Sequence, residues 1–164
     1  MRQLVSISGV VPDRWVDLGE LADGAAATHL IVAWSEWQKA PSDWLDRAAH
    51  VGVRVPVDTS FAALQPYLDR LDLIAIAFPG VSEGRGYSLA RQLRERGRFR
   101  GELRAAGEIF RDHVLFLARC GFDSFEISAR ESAEGAFAAL RSFTVAYQPE
   151  RGDSSSIALA GRRF

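Results

Sequence analysis

The sequence predicts a single α/β domain over residues 1–164, in which repeated βα units build a mainly parallel, half-barrel-like sheet with helices mostly on one face. Short apolar runs alternate with helical segments along the chain, and such alternation indicates parallel strands joined by right-handed crossovers. The 164 residues, 48% of them hydrophobic and 25% charged, suit one domain with one core. Within the strands, apolar residues alternate with small or charged ones, which indicates two different faces.

Five apolar runs are candidate strands, each bounded by turn residues or helical segments. They cover residues 29–34, 51–58, 73–78, 101–106 and 124–127. Periodicity and capping residues predict helices over 43–50, 59–70, 86–96, 109–119 and 131–143. The candidate N-caps are Ser42 or Asp43 for the first of these helices and Thr59 or Ser60 for the second.

The two ends of the chain lack this repeating pattern. Residues 1–28 are assigned to an N-terminal edge segment with one short edge strand over 10–18, where Pro12 is tolerated. Residues 150–164 are assigned to a mobile tail because they are polar and carry no periodicity.

The alternation separates a large apolar face from a face of small or charged residues. Val53 and Val55 flank Arg54, and the same pattern recurs around Arg104 and Glu126. The simplest matching architecture has helices on the apolar face and the small and charged residues inside a curved sheet. A full eight-unit barrel takes about 250 residues, so this chain forms part of one, closed by its own N-terminal strands or by a second copy in a homodimer.

An open three-layer αβα sheet is the alternative, because small residues such as Ala75 and Ala77 also suit tight helix packing. In the half-barrel, Arg104 and Glu126 lie on the same inner face. A buried charge without a partner is costly, so either these two side chains form an ion pair or water reaches them. A structural and a functional role for the couple are equally compatible with the sequence.

The connection after the third predicted strand is the candidate functional site. It combines flexible backbone, a guanidinium group and a helix N-terminus in Gly84, Arg85, Gly86, Tyr87 and Ser88. These groups favour a small oxyanion such as sulfite, sulfate, phosphate or a carboxylate. The alternative is a capping turn with a surface arginine, because the glycine spacing matches neither the Walker loop nor the dinucleotide fingerprint.

Further polar residues are expected near this loop, because the carboxyl ends of parallel strands share one rim. Arg104 and Arg111 are additional candidates for binding an anion. Glu83, Glu108 and Asp112 are the candidates for proton transfer.

Composition and spacing exclude several classes of function. A single cysteine, Cys120, excludes an internal disulfide and the four-thiolate set of an iron–sulfur cluster. The three histidines are scattered without metal-ligand spacing and no cofactor motif is present, so neither a metal nor a cofactor is assigned. The net charge of −1 gives no global attraction to nucleic acid or an anionic membrane. Because no apolar run reaches the ~20 residues of a membrane span and residues 1–5 do not form a signal peptide, a cytoplasmic location is expected.

A set of motifs in the middle of the chain resembles a bacterial domain family of unknown function. The shared segments are Phe78-Pro79, Gly84 to Arg91, Leu93 to Arg96, Gly101 to Ala105, Arg111-Asp112 and Cys120 to Asp123. The similarity is clear over residues 78–126, weaker at 143–148 and loose in the N-terminal third. Members of this family are typically encoded beside sulfite reductase and are labelled as probable oxidoreductases involved in sulfite reduction.

The resemblance implies an accessory protein of assimilatory sulfite reduction that assists sulfite reductase by binding, assembly or electron delivery. Its partner is then the reductase or the electron donor of the reductase. The family has no established mechanism, so whether the chain is an enzyme stays open. The alternative hypothesis is a small oxyanion-binding enzyme or sensor that uses the rim around Arg85 and Arg111. Many relatives have Gln at the position of His113, which argues against this histidine as an essential acid or base.

Overall fold

The computed structural model describes residues 3–22, 25–80 and 83–142. Val81 and Ser82, the segment 143–148 and the predicted tail at 150–164 lie outside these residues. Within the described residues, eight strands form one sheet: β1 Gln3–Ser6, β2 Gly9–Val11, β3 Val16–Asp17, β4 His29–Ala33, β5 His50–Pro56, β6 Leu73–Phe78, β7 Glu102–Ile109 and β8 Ser124–Ile127. They are accompanied by α1 Trp34–Trp37, α2 Pro41–Leu45, α3 Phe61–Leu64, α4 Gly84–Glu95, α5 Val114–Arg119 and α6 Ala133–Ser142. None of these helices combines the length and the apolar character that crossing a membrane requires.

Most of the sheet is parallel. Its strand order is β2-β1-β8-β7-β6-β5-β4-β3, and every neighbouring pair from β3 to β8 runs parallel. The two antiparallel pairs of the described sheet are those that β1 forms with β2 and with β8. The predicted α/β class with a mainly parallel sheet is confirmed.

The sheet is strongly curled. β2 and β3 lie at its opposite edges, seven strand spacings apart, or about 34 Å along the sheet. Only residues 12–15 separate Val11 from Val16. Five Cα–Cα steps therefore join the two strands, and a fully extended chain of this length reaches about 18 Å at most. The sheet therefore curves until its edges approach each other, and Pro12–Trp15, which we call the strap, crosses the open side. The predicted half-barrel is confirmed.

The two faces of the sheet differ as the alternation predicts. On the outer face, Val53, Ile74 and Phe125 are buried in the main core, to which the helices contribute. On the inner face, Ala75 and Ala106 belong to a small cluster with Trp15 of the strap. The three-layer alternative requires a second layer of helices on this inner face. In the described residues, the strap and charged side chains lie there instead.

The boundary between β7 and α5 differs from the prediction. Ile109, predicted to begin a helix, ends β7 instead, and α5 begins at Val114. Gly107 is the reason, because its φ is 105° and a Cβ there would lie 2.2 Å from the carbonyl oxygen of Phe78. The register shifts at this glycine, after which Ile109 pairs with Ile127.

The predicted helix over 59–70 forms only in part. α3 ends at Leu64 and continues as a 3-10 turn over Gln65–Tyr67, where Pro66 has no N–H group to donate to a longer helix. The predicted N-cap is confirmed at Ser60, whose side chain accepts a hydrogen bond from the Ala63 amide at 3.3 Å.

Two other boundary predictions are wrong. The helix expected over 43–50 is the shorter α2, which begins at Pro41 with Ala40 as its N-cap, so neither Ser42 nor Asp43 caps it. Proline suits the first helical position because its missing N–H group is not needed there. The single edge strand expected over 10–18 is two strands, β2 and β3, at opposite edges of the sheet.

Helix α4 lies close against the sheet because one of its residues has no side chain. A Cβ on Gly86 would lie 2.5 Å from Cε1 of Phe78 and 3.0 Å from Cγ1 of Val57. Gly84 lies two residues earlier, and a Cβ on it would have no other heavy atom of the described chain within 4 Å. The two glycines of the predicted anion loop therefore have different roles, and that of Gly86 is packing.

Replacing Gly86 with alanine is expected to lower the free energy of unfolding by about 1–3 kcal/mol, because the new methyl group overlaps the Phe78 ring. Gly84→Ala is the matched control, and its effect is expected to stay within about 1 kcal/mol of wild type. Urea-induced unfolding followed by circular dichroism measures both variants. Equal stability of the two would contradict the close packing of α4 on β6.

Candidate functional site

Six charged side chains converge inside the half-barrel, and we call them the inner ion network. They come from the strap and from strands on both sides of the curve: Asp13, Asp17, Arg54, Glu102, Arg104 and Glu126. Alternate residues of a strand share a face, which is why Arg54, Arg104 and Glu126 all point inward. The strap brings Asp13 to them from a distant part of the sequence.

Arg104 is the centre of the network, and its side chain is 0% exposed. Nη1 and Nη2 donate to the two carboxylate oxygens of Asp13 at 2.8 and 3.1 Å. Nε and Nη2 donate to Oε1 of Glu102 at 3.0 and 2.9 Å. Nη1 also lies 3.5 Å from Oε1 of Glu126, so of the two arrangements left open for this couple, the ion pair is the one observed. Burial disfavours the charged guanidinium, but Glu102 and Asp13 outweigh it and raise the pKa of Arg104.

Arg54 enters the network from β5. It donates to both carboxylate oxygens of Glu126, at 2.9 and 3.2 Å, and to both of Asp17, at 3.1 and 3.2 Å. Burial opposes its charge, yet Glu126 and Asp17 raise the pKa of Arg54. Glu126 lies three strands away from Arg54, and only the curl of the sheet lets side chains so far apart meet. The small Ala75, which is in register with Arg54 on one side and Arg104 on the other, leaves room for both.

A cavity of about 390 Å³ adjoins the network between the strap, the β1–β2 hairpin and the starts of β7 and β8. Apolar side chains such as Leu4 and Trp15 line part of it. At its polar end, the hydroxyl of Ser124 donates to Oε1 of Glu102 at 2.5 Å, the same oxygen that Arg104 binds. This end of the cavity is thus an extension of the inner ion network.

Two histidines that are distant in the sequence are neighbours in the fold. His29 begins β4 and His50 begins β5, and their rings stack with centroids 4.4 Å apart. Nδ1 of His50 lies 3.3 Å from Oδ2 of Asp72, and the edge of Trp15 meets the His29 ring. Burial, and then the neighbouring His50, lower the pKa of His29. Among the residues 3–22, 25–80 and 83–142, no group of three or more side chains could hold a metal ion.

The predicted anion loop lies at the other end of the strands, on the rim. Arg85 is 65% exposed, and its Nη2 and Nε donate to Oε2 of Glu83 at 2.9 and 3.1 Å. This hydrogen bonding raises the pKa of Arg85. A surface depression of about 670 Å³ lies beside it, lined among others by Thr59, Ser60 and Ser88. Oγ1 of Thr59 is buried and has no hydrogen-bond partner in the described chain.

Tyr87 and Ser88 have local contacts. The Tyr87 ring lies 5.3 Å from that of Phe78 and 5.0 Å from that of Phe116, in the helix layer. Burial raises the pKa of the Tyr87 phenol, which keeps it protonated. The hydroxyl of Ser88 donates back to the Gly84 carbonyl at 3.3 Å.

The remaining predicted residues belong to the connection between β7 and α5. Arg111 is 67% exposed, and its Nε lies 3.9 Å from Oε2 of Glu131. Asp112 lies 3.4 Å from Nδ1 of His113, and Glu108 is an exposed residue of β7. In the part of the chain that the structure describes, no ion pair or hydrogen bond links Arg111 to the Arg85 loop.

The structure therefore divides the predicted anion-binding residues into three places. The loop from Gly84 to Ser88 and Glu83 stay together, Arg111 lies on the next connection, and Arg104 lies inside the half-barrel. Sequence reasoning assigned no role to Asp13 or Asp17. No local pattern marks these two residues, because their partners, Arg104 and Arg54, are distant in the sequence. Only the path of the strap and the position of β3 bring each pair together.

Comparison with known protein families gives one clear result. A family model described as a bacterial protein of unknown function, DUF934, matches residues 52–158, which is more than half of the chain. The match contains Arg54, Arg104 and Glu126, whereas Asp13 and Asp17 precede it. A search of curated proteins found no match.

Arg104→Met is expected to lower the free energy of unfolding by about 3–5 kcal/mol, because the carboxylates of Asp13 and Glu102 then lose their buried counter-charge. Arg111→Met is the control, since its exposed pair with Glu131 contributes less than about 1 kcal/mol. Denaturant titration of both purified variants measures the difference. An Arg104→Met protein as stable as wild type would show that the network does not stabilise the fold.

Proposed function

The chain belongs to the DUF934 family of bacterial proteins, and from this membership together with its sequence motifs we propose that it is a cytoplasmic accessory protein of assimilatory sulfite reduction. Its role is to assist sulfite reductase through binding, assembly or electron delivery. The partner is the reductase or the protein that delivers electrons to it.

The saturation of Arg104 favours an accessory role over catalysis. Enzymes stabilise developing charge with donors that are already oriented toward the substrate and free to bind it. The guanidinium inside this half-barrel donates four hydrogen bonds to Asp13 and Glu102. A substrate anion would have to displace two carboxylates of the same chain. The inner ion network thus supports the fold, and groups exposed on the protein surface are left to carry the function.

Deletion of the gene tests the accessory role. Cells without the protein are expected to grow slowly on sulfite as the sole sulfur source and to show reduced sulfite reductase activity in extracts. Growth on cysteine is the control, because cysteine is taken up after sulfur has already been reduced. Unchanged sulfite growth and unchanged reductase activity in the deletion strain would exclude the role. Co-purification of the tagged chain with the reductase is the corresponding biochemical result.

A second candidate function is the binding of a small oxyanion on the rim, favoured by the depression beside Arg85. Its lining combines the guanidinium of Arg85 with the hydroxyls of Thr59 and Ser60, and the Thr59 oxygen has no partner in the described residues. Oxyanions bind well where hydroxyl and N–H donors converge at a helix start. The carboxylate of Glu83 binds the guanidinium of Arg85 in the structure, so an anion has to compete with this carboxylate.

Calorimetric titration with sulfite, sulfate and phosphate tests the rim site, and the competition with Glu83 gives it two opposite variants. Arg85→Ala is expected to weaken binding by about tenfold or more, whereas Glu83→Gln is expected to strengthen it, because the competing charge is gone. Arg47→Ala, at an exposed arginine beside Trp44, is the control that leaves affinity unchanged. Binding no tighter than millimolar for all three anions would reject this candidate.

A further inference from the structure

Four exposed arginines lie at the N-terminal ends of the parallel strands, and we call them the basal arginine surface: Arg70, Arg96, Arg98 and Arg100. Arg70 precedes β6, and the other three form part of the connection between α4 and β7. This end of the strands is opposite the rim that carries Arg85.

Backbone contacts hold the two connections together. A Cβ on Gly101, the residue after Arg100, would lie 2.6 Å from the carbonyl oxygen of Asp72. That same oxygen accepts a hydrogen bond from the Glu102 amide at 2.8 Å. Asp72 follows Arg70 by two residues, so Arg70 and Arg100 belong to one surface.

The arginines of this surface have no carboxylate partner in the described part of the chain. In residues 3–22, 25–80 and 83–142, no carboxylate oxygen lies within 4.0 Å of any of their guanidinium nitrogens. Arg104, which is buried, and Arg54 and Arg94, which are partly buried, differ in this respect, because each binds a carboxylate. The basal arginines are therefore available for a charge supplied from outside the described chain.

The surface is positive although the chain as a whole has a net charge of −1. Three exposed carboxylates, Asp69, Asp72 and Glu95, lie within two residues of these arginines in the sequence, so four positive charges face three negative ones. Arg96 is held over the Phe61 ring, 5.2 Å from its centroid, by a cation–π contact that does not neutralise it.

Arg98 has a backbone conformation that favours glycine. Its φ is 51°, in the left-handed region where a Cβ is strained. The preceding residue, Gly97, is a glycine for a different reason, which is close packing. A Cβ on Gly97 would lie 2.6 Å from Cδ1 of Leu68 and 2.8 Å from the Leu93 carbonyl oxygen. The loop thus has an arginine at its strained position, and strain of this kind clusters at binding sites.

We propose that the basal arginine surface docks an acidic protein surface, which presents Asp and Glu carboxylates to the four guanidinium groups. A guanidinium binds a carboxylate through two parallel hydrogen bonds, so exposed arginines without a carboxylate partner in the described chain suit such a partner. Nucleic acid fits less well, because Asp69, Asp72 and Glu95 lie among these arginines and interrupt the continuous basic stripe that a phosphate backbone needs. The identity of the partner, sulfite reductase or its electron donor, rests on the proposed function, whereas the location of the surface rests on geometry alone.

Two triple variants of the full chain that lose the same charge test the proposal. One removes the basal surface and the other removes three exposed arginines elsewhere: Arg96→Ala/Arg98→Ala/Arg100→Ala and Arg47→Ala/Arg130→Ala/Arg141→Ala. Binding to immobilised poly-L-glutamate and to purified sulfite reductase is measured by biolayer interferometry. The basal variant is expected to lose affinity for both probes by about tenfold or more, while the control variant keeps wild-type affinity.

A single substitution separates loss of binding from loss of folding. Arg98→Gly removes one guanidinium and at the same time relieves the left-handed φ, so its Tm is expected to equal or exceed that of wild type. Its affinity for poly-L-glutamate is expected to fall. Weaker binding by a variant that is at least as stable cannot be attributed to unfolding.

Three outcomes are decisive. Equal binding of poly-L-glutamate by the basal and control variants would overturn the proposal. Tighter binding of duplex DNA than of poly-L-glutamate, lost in the basal variant, would overturn it in favour of a nucleic-acid site. Binding of poly-L-glutamate that depends on the basal arginines, without any binding of the reductase, would retain the docking surface and reject the reductase as its partner.

Discussion

The short connection between β2 and β3 is the constraint on which the rest of the structure depends. Four residues join the two edges of an eight-stranded sheet, and an extended chain of that length cannot span a flat sheet. The sheet has to curl, and the connection has to cross its concave side. Asp13 then lies against Arg104 and Trp15 against the small residues of the inner face. Curvature, closure and inner packing thus have a common cause.

Curling also accounts for the charges inside the half-barrel. On a flat sheet, Arg54 and Glu126 would be three strands apart and could not bind each other. The curved sheet lets Glu126 bind both Arg54 and Arg104, and the strap supplies the carboxylate that completes the hydrogen bonds of Arg104. Removing such charges from water is costly unless each is paired and hydrogen-bonded. The network meets this condition with residues from the strap, β3, β5, β7 and β8.

Because carboxylates of the same chain already bind the guanidinium groups of the inner ion network, the question of function moves to the surface. The rim carries the Arg85 loop beside an open depression, and the opposite end carries arginines that bind no carboxylate of the described chain. Both places suit an anionic ligand, but they differ in what holds the guanidinium groups. Glu83 binds the guanidinium of Arg85, whereas Arg98 has a strained backbone and binds no carboxylate of the described residues. The accessory role that we propose, with its contact to an acidic partner, draws on the second arrangement.

The sequence by itself determined the features that depend on neighbouring residues. Strand alternation placed Arg54, Arg104 and Glu126 on one face, and the Ser60 cap was recognisable, because strand periodicity and capping are local properties. Some local signals were still misjudged, since the bulge at Gly107 extends β7 through Ile109. The pairing of Asp13 with Arg104 was decided only in the tertiary structure. It follows from the curl of the sheet, which no stretch of sequence encodes alone because it results from the closure of distant strands by the strap.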